Sequence, residues 1–119
     1  MLIVDDDPDI VEAISLALAL RSVSSCSTDA AERAVELSRQ ESPCLTLLDY
    51  RLAGVDVPRL VSALRRASSG LIALCTAADD PWALAELTGA DLVLSKPFTL
   101  EALFDLVRQA EARLERPNV

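Results

Sequence analysis

Short apolar runs alternate with longer segments of helical periodicity along the whole chain. A short apolar run between polar residues is typical of a buried strand, whereas apolar residues three and four positions apart indicate an amphipathic helix. The pattern predicts strands at residues 2–4, 22–27, 44–48, 71–75 and 91–95. It predicts helices at residues 9–21, from 28 or 29 onward, at 58–67, at 81–88, and from 99 to a frayed end before Pro117. Five strands therefore alternate with five helices.

This alternation, with short links throughout, implies a parallel sheet, because each crossover helix returns the chain to the same end of the sheet. Right-handed crossovers then place helices on both faces. We therefore expect a doubly wound α/β fold. The second predicted strand is polar, which favours a position at the edge of the sheet. No interior segment has the composition of a linker, so residues 1–119 are expected to form one domain, and residues 116–119 are a candidate linker start.

Composition narrows the classes of function. With 119 residues and 51% apolar content, the chain is long enough for one compact domain with a real core. Its net charge of −8 argues against binding nucleic acid or an anionic membrane, since both need a basic surface. The first residues match neither a signal peptide nor a membrane span, so we expect a cytoplasmic protein.

The chain has three cysteines and no histidine. Cys26, Cys44 and Cys75 lie far apart without CxxC spacing, so we expect reduced, mostly buried thiols rather than a zinc site. The absence of histidine excludes Ser-His-Asp and Cys-His catalysis within this chain. Any phosphohistidine involved must therefore belong to a partner.

Polar residues follow four of the predicted strands. The first strand runs into Asp5 and Asp6, the third into Asp49, the fourth into Thr76, and the fifth into Lys96. Lys96 is the single lysine, because the other ten of the 11 basic residues are arginines. Ligands of doubly wound sheets bind at the carboxyl ends of the strands. We therefore expect these side chains to meet in one pocket.

Such a pocket would suit phosphoryl chemistry. Carboxylates within about 4–6 Å of one another repel, so a cluster of three favours a bound cation, and oxygen-only ligands favour Mg²⁺. An aspartate can also act as a nucleophile and form an acyl phosphate. We assign that role to Asp49, metal binding to Asp5 and Asp6, and contacts with the phosphoryl oxygens to Thr76 and Lys96.

The motifs resemble those of the receiver (response-regulator) domain of two-component signalling. They are, in order, LIVDDDPDI, LTLLDYRLAGVD, LCTA and GADLVLSKPF, and the resemblance covers essentially the whole chain. It implies a flavodoxin-like sheet of strand order 2-1-3-4-5. It also implies that Asp49 is the phosphoacceptor and that it receives its phosphoryl group from a histidine kinase or a histidine phosphotransfer protein. It also implies self-catalysed phosphotransfer and autodephosphorylation in a regulatory domain, rather than turnover of a substrate.

The resemblance also implies roles for particular groups. Asp6, Asp49 and the backbone carbonyl of Arg51 would bind Mg²⁺ directly, and Asp5 mainly through water. Thr76 and Lys96 would contact the phosphoryl group, and the bond between Lys96 and Pro97 would be cis. A surface from the fourth to the fifth helix would serve a homodimer or an output partner.

The sequence departs from the family pattern at three positions. Ala53 and Val57 stand where proline and glycine are frequent, and Val93 stands at the usual aromatic switch position. Coupling of Thr76 to a rotating ring therefore cannot operate in its usual form. Trp82 lies in a short fourth helix with more than one apolar face, which indicates either core packing or a partner contact.

Two other functions remain open from the residues. The chain is either a phosphorylation-independent, receiver-like interaction module or a small Mg²⁺-dependent phosphohydrolase that uses the DxD pattern of Asp5 and Asp7. The complete set of Asp49, Thr76 and Lys96 argues against the first. The second would leave Asp49 without a role and would need a substrate domain. Asp5 to Asp7 also suit a solvated helix start, since anions are favoured there.

Overall fold

A computed structural model describes residues 1–115. It contains ten elements in strict alternation. The strands are β1 (Leu2–Val4), β2 (Cys26–Thr28), β3 (Leu45–Asp49), β4 (Leu71–Thr76) and β5 (Leu92–Ser95). The helices are α1 (Pro8–Leu20), α2 (Ala31–Glu41), α3 (Val57–Ala67), α4 (Pro81–Thr88) and α5 (Leu100–Glu115). The expected fraying before Pro117 and the candidate linker lie outside the described residues.

The five strands form one parallel sheet of order β2-β1-β3-β4-β5. The predicted doubly wound α/β fold, with its flavodoxin-like strand order, is confirmed. The polar strand β2 lies at one edge, as its composition indicated, and β5 lies at the other. Each strand therefore presents its carboxyl end at the same edge of the sheet.

Two apolar layers cover the sheet. One layer packs α1 and α5 against the side of the sheet that carries Ile3, Leu47 and Ala73. The other packs α2 and α3 against the side that carries Val4 and Leu48. Alternate residues along a strand point to opposite faces, so the continuous apolar runs fill both layers. Helices thus cover both faces of the sheet.

Side-chain caps begin several of the helices. Asp7 accepts hydrogen bonds from the amides of Asp9 and Ile10 at the start of α1, at 3.0 and 3.5 Å. Asp56 caps α3, and Asp80 caps α4. Thr99 accepts a hydrogen bond from the Ala102 amide at the start of α5, at 3.1 Å. These acids and this hydroxyl satisfy amides that have no partner inside the helix.

The predicted second strand, residues 22–27, was placed too early. Ser22 has a φ of 58°, and the amides of Ser22 and Val23 bond back to carbonyls of α1. This exit turn uses the backbone groups that a strand would need, so β2 begins only at Cys26. Helix α2 also begins later than expected, at Ala31, because Thr28 Oγ1 accepts a bond from the Ala30 amide in a turn before the helix.

The three cysteines are free, as expected, but their burial differs from the expectation. Cys75 is buried in β4, Cys26 is half-buried, and Cys44 is exposed. Cys44 precedes β3 rather than belonging to it. Within the described part of the chain, no helix is both long enough and apolar enough to cross a membrane.

Candidate functional site

Four parallel strands bring the predicted site residues to one edge of the sheet. Asp5 follows β1, Asp49 ends β3, Thr76 ends β4, and Lys96 follows β5. The register places Asp49 opposite Cys75, one residue before Thr76, and it places Thr76 opposite Ser95. The Lys96 amide donates a hydrogen bond to the Thr76 carbonyl at 2.8 Å. The backbone thus aligns residues that lie up to 91 positions apart.

The acidic groups converge on one point. One carboxylate oxygen from each of Asp5, Asp6 and Asp49 lies within 4.8 Å of the other two. Asp5 and Asp49 are buried, whereas Asp6 is exposed. Lys96 extends its amine into this cluster, with Nζ 3.2 Å from Asp49 Oδ1 and 3.4 Å from Asp5 Oδ2. Two buried carboxylates therefore share one ammonium group.

The cluster perturbs its own protonation. Burial raises the pKa of Asp5, and the charge of the Asp49 carboxylate raises it further. A hydrogen bond from the Asp7 amide and the charge of Lys96 lower this pKa, but by less, so the net shift is upward. Burial by itself lowers the pKa of Lys96, but the acidic groups of Cys75, Asp49 and Asp5 outweigh it and raise that pKa. The pKa of Cys75 is raised to about 12, chiefly by burial. At neutral pH Cys75 is thus an uncharged thiol, and the carboxylates keep Lys96 protonated.

Thr76 and Arg51 flank the cluster. Thr76 is buried, and its Oγ1 accepts a hydrogen bond from the Ala78 amide at 3.1 Å, which leaves its own proton free to be donated. Arg51 lies in the loop after β3, and its amide donates to Asp49 Oδ1 at 3.4 Å. Its side chain is exposed. Arg51 thus contacts Asp49 through its backbone amide.

Two acidic residues near the cluster in sequence, Asp7 and Asp79, do not contribute a carboxylate to it. The Asp7 carboxylate caps α1 and so does not belong to the cluster, while Asp79 is exposed. Asp7 contributes its amide, which donates to Asp5 Oδ1 at 2.9 Å. The peptide bond between Lys96 and Pro97 is cis, as the motif implied.

A groove beside the cluster was not expected from the sequence. It has a volume of about 510 Å³ and lies between α1 and the start of α5. Apart from Lys96 its lining is apolar and includes Ile10, Ala13, Phe98 and Leu100. The available signal was the sequence of α1, whose outward positions after Glu12 are alanine or leucine, at Ala13, Leu16, Ala19 and Leu20.

The structure is a doubly wound α/β domain with three carboxylates, a hydroxyl and an ammonium group at the carboxyl edge of its sheet. Comparison with known proteins specifies the family. The family model described as the response regulator receiver domain matches residues 1–108. This chain therefore belongs to the response regulator receiver family of two-component signalling, as the motifs indicated.

Relatives and solved structures agree with this placement. The chain is 30% identical to the probable transcriptional regulatory protein TcrX of Mycobacterium tuberculosis and 31% identical to the DNA-binding response regulator MtrA of Mycolicibacterium smegmatis. The alignments cover 100% and 98% of this chain, but only 51% and 50% of those proteins. The chain thus spans about half the length of these curated relatives.

Among solved structures, a two-component response regulator from Clostridium difficile has a TM-score of 0.86 at 24% identity, with 97% of each chain covered. The chemotaxis protein CheY4 of Vibrio cholerae has a TM-score of 0.83 at 21% identity, with 92% of this chain and 95% of that chain covered. At these identities the likeness concerns the fold.

Proposed function

We propose that Asp49 accepts a phosphoryl group from a phosphohistidine on a partner protein. The observation that carries this proposal is the contact of Lys96 Nζ with Asp49 inside a cluster of three carboxylates. The chain has no histidine, so the donor imidazole must belong to a histidine kinase or a histidine phosphotransfer protein. Such signalling partners would place this chain in the cytoplasm.

The transfer exchanges one bond for another. A carboxylate oxygen of Asp49 attacks the phosphorus atom, a new O–P bond forms, and the N–P bond of the phosphohistidine breaks. The electron pair of that bond stays with the imidazole nitrogen of the partner, which is then protonated from solvent. Lys96, already 3.2 Å from Asp49, remains close enough to pair with the incoming phosphoryl oxygens.

The donor set fits Mg²⁺, the metal ion that receiver domains generally bind. Asp6, Asp49 and the Arg51 carbonyl would hold it directly, and Asp5 mainly through water, so that all ligands are oxygens. The raised pKa of Asp5 and the mutual repulsion of the carboxylates supply the reason for a divalent cation here. When bound, the ion neutralises charge on the phosphoryl oxygens.

The hydroxyl of Thr76 completes the contacts with the phosphoryl group. Because Oγ1 now accepts from the Ala78 amide, a move toward the phosphoryl group would also shift the loop after β4. Val93 is half-buried and carries no ring, so the signal would pass through this loop and α4. Phosphorylation of Asp49 requires no aromatic residue at Val93.

The surface that receives this signal would include α4. Trp82 and Leu87 of this short helix are 53% and 75% exposed, so they do not belong to the core. Large apolar side chains that stay exposed on a short helix are candidates for an interaction site. We propose that this surface, running from α4 to α5, contacts an output partner or a second copy, and that phosphorylation changes its affinity.

Incorporation of labelled phosphate from acetyl phosphate in the presence of Mg²⁺ tests the proposal. We expect stoichiometric, alkali-labile label on the wild type and none on Asp49→Asn. Asp79→Asn is the matched control, because Asp79 is exposed and lies outside the cluster. A wild type that takes no label from acetyl phosphate or from a kinase panel would instead support a phosphorylation-independent interaction module.

A further inference from the structure

We propose that α4 rotates about a pivot at its C-terminal end, and that Arg65 of α3 holds this pivot in place. Phosphorylation would then swing the N-terminal half of α4, which carries Trp82, and leave the C-terminal half where it is. The inference rests on the proposed phosphorylation of Asp49, because it concerns how that signal moves α4. Arg65 is thus assigned the role of a positioning residue outside the phosphoacceptor pocket.

Arg65 holds the segment that follows α4 by a hydrogen bond and an ion pair. Its Nη2 donates to the Gly89 carbonyl oxygen at 2.6 Å and lies 2.8 Å from Asp91 Oδ1. Gly89 ends α4 in the left-handed conformation, with a φ of 85°. The last turn of α4 has no basic residue, so Arg65 supplies the positive charge that is favourable at the C-terminal end of a helix. One side chain of α3 therefore fixes the end of α4.

Two further elements bond to the same segment. Asp91 Oδ2 accepts a hydrogen bond from the Ile72 amide of β4 at 2.8 Å, and the Asp91 amide donates to the Ile72 carbonyl at 2.8 Å. Arg113 of α5 donates to the Asp91 carbonyl at 3.3 Å. Asp91 therefore connects β4 and α5, and its ion pair with Arg65 adds α3 to this junction.

Burial divides α4 into the same two halves. Its buried residues, Ala85 and Thr88, both lie in the C-terminal half. In the N-terminal half, Trp82 and Ala83 are exposed. Core packing and the junction at residues 89–91 therefore restrain the same half of the helix.

The N-terminal end of α4 has mainly local hydrogen bonds. Asp80 caps the helix by accepting from the Ala83 amide at 3.1 Å. Among the described residues, one hydrogen bond connects residues 77–83 to another element, and it runs from the Ala78 amide to Thr76 Oγ1. This is the bond that a movement of Thr76 toward a phosphoryl group would alter. The signal would thus reach α4 at the end with the fewer bonds to the rest of the fold.

A pivot at Gly89 determines how far each position of α4 moves. Leu87 is two residues from the pivot, Ala83 is six and Trp82 is seven, which correspond to about 3, 9 and 10.5 Å along a helix. Because displacement in a rotation grows with distance from the pivot, residue 83 would move about three times as far as residue 87. Phosphorylation would therefore change the partner surface mainly around Trp82.

Distances between pairs of spin labels in the full chain test the pivot. One label is attached to the exposed Cys44 in a Cys26→Ser background, and the other to Ala83→Cys or Leu87→Cys, which are exposed positions. A reference label on Ser62→Cys of α3, in place of that on Cys44, repeats the measurement along a second direction. We expect a broader distance distribution at residue 83 than at residue 87 in the unphosphorylated chain. Equal widths at the two positions overturn the proposal.

Beryllofluoride with Mg²⁺, a stable mimic of a bound phosphoryl group, provides the second state. We expect it to shift the label at residue 83 about three times as far as the label at residue 87. Equal shifts at the two positions, or a larger shift at residue 87, overturn the pivot.

Substitution of Arg65 tests its role in the pivot. We expect Arg65→Met to bring the shift at residue 87 close to that at residue 83, and Arg65→Lys to restore most of the difference, because an ammonium group donates to the same oxygens. Arg66→Met is the matched control, since Arg66 is the exposed neighbour on α3 and, in the described part of the chain, bonds to neither Gly89 nor Asp91. Circular dichroism verifies that each variant folds.

The ratio of the two shifts separates a pivot from a purely stabilising contact. If Arg65 only stabilises the fold, Arg65→Met broadens the distribution at residue 87 but leaves this ratio at its wild-type value. That result overturns the proposal, and so does a ratio that Arg66→Met changes as much as Arg65→Met.

Labelled phosphate on Asp49 distinguishes failure of this inference from failure of the proposed function. We expect Arg65→Met to take label at the wild-type rate, because Arg65 lies outside the carboxylate cluster. A chain that is labelled but moves both halves of α4 equally retains the proposed function and overturns the pivot. A chain that takes no label contradicts the proposed function and, with it, the regulatory role of the pivot.

Discussion

Lys96 and Asp49, which are 47 positions apart, meet with Nζ 3.2 Å from Oδ1 at the carboxyl edge of the sheet. The same ammonium group lies 3.4 Å from Asp5 Oδ2. One cation thus compensates two buried carboxylates, and the stability of the protein and the chemistry of its site depend on the same atoms.

Removal of Lys96 leaves those carboxylates uncompensated. We expect Lys96→Met to lower the free energy of unfolding at pH 7 by about 1–3 kcal/mol in the absence of Mg²⁺, measured by urea denaturation. In the Asp5→Asn background the same substitution should cost less, because one carboxylate is already neutral. Equal costs in the two backgrounds would show that Lys96 and Asp5 are not coupled.

Mg²⁺ should stabilise the folded chain, and above the dissociation constant the gain should rise with the logarithm of the Mg²⁺ concentration. At ten times its dissociation constant the gain is about 1.4 kcal/mol, if the unfolded chain does not bind the ion. Thermal unfolding with increasing Mg²⁺ measures this gain. We expect Asp6→Asn to reduce it and Asp79→Asn to retain it. If the unfolding temperature of the wild type does not change with Mg²⁺ concentration, the metal site is contradicted.

The pH dependence of stability should carry the signature of Asp5. The pKa of Asp5 in the folded state is raised above its usual value of 3.8. Between pH 3.8 and this raised pKa, the folded state therefore binds more protons than the unfolded state. Stability from this group therefore falls as pH rises through that window. We expect Asp5→Asn to be more stable than the wild type at pH 7 without Mg²⁺, and the difference to vanish below pH 3.8, as followed by urea denaturation at several pH values.

Gly70 should tolerate no side chain. A Cβ atom there would lie 2.0 Å from the Pro43 carbonyl oxygen, so the backbone before β3 would have to move. We expect Gly70→Ala to cost about 2 kcal/mol or more in urea denaturation. Gly54→Ala is the comparison, because a Cβ atom at Gly54 would meet no other atom, while the φ of +71° is unfavourable for alanine. We expect this backbone strain alone to lower the free energy of unfolding by about 1 kcal/mol.

Thiol alkylation should separate the three cysteines. The exposed Cys44 should react quickly at pH 8 in the folded protein, as followed by peptide mass spectrometry. Cys75 should react only on unfolding, because it is buried and its pKa is about 12. Rapid labelling of Cys75 in the folded protein would contradict the packing of β4 against α1 and α5.

Much of this protein follows from local sequence. Apolar runs and helical periodicity predicted the alternation of strands and helices, because both patterns are set within a few residues. The wrong predictions concern the bounds of elements, at places where backbone hydrogen bonds outside the element determine where it begins. Strand β2 was placed too early because the exit turn of α1 uses residues 22 and 23, and no local pattern shows where that turn ends.

For the candidate site, the sequence by itself determined which residue types stand at the strand ends, since Asp5, Asp49, Thr76 and Lys96 each follow or end an apolar run. Only the tertiary structure decided that Lys96 reaches both Asp49 and Asp5, that Asp6 remains exposed, and that a groove opens beside α1. Distances between elements depend on how helices pack on the sheet, and packing is a property of the whole chain.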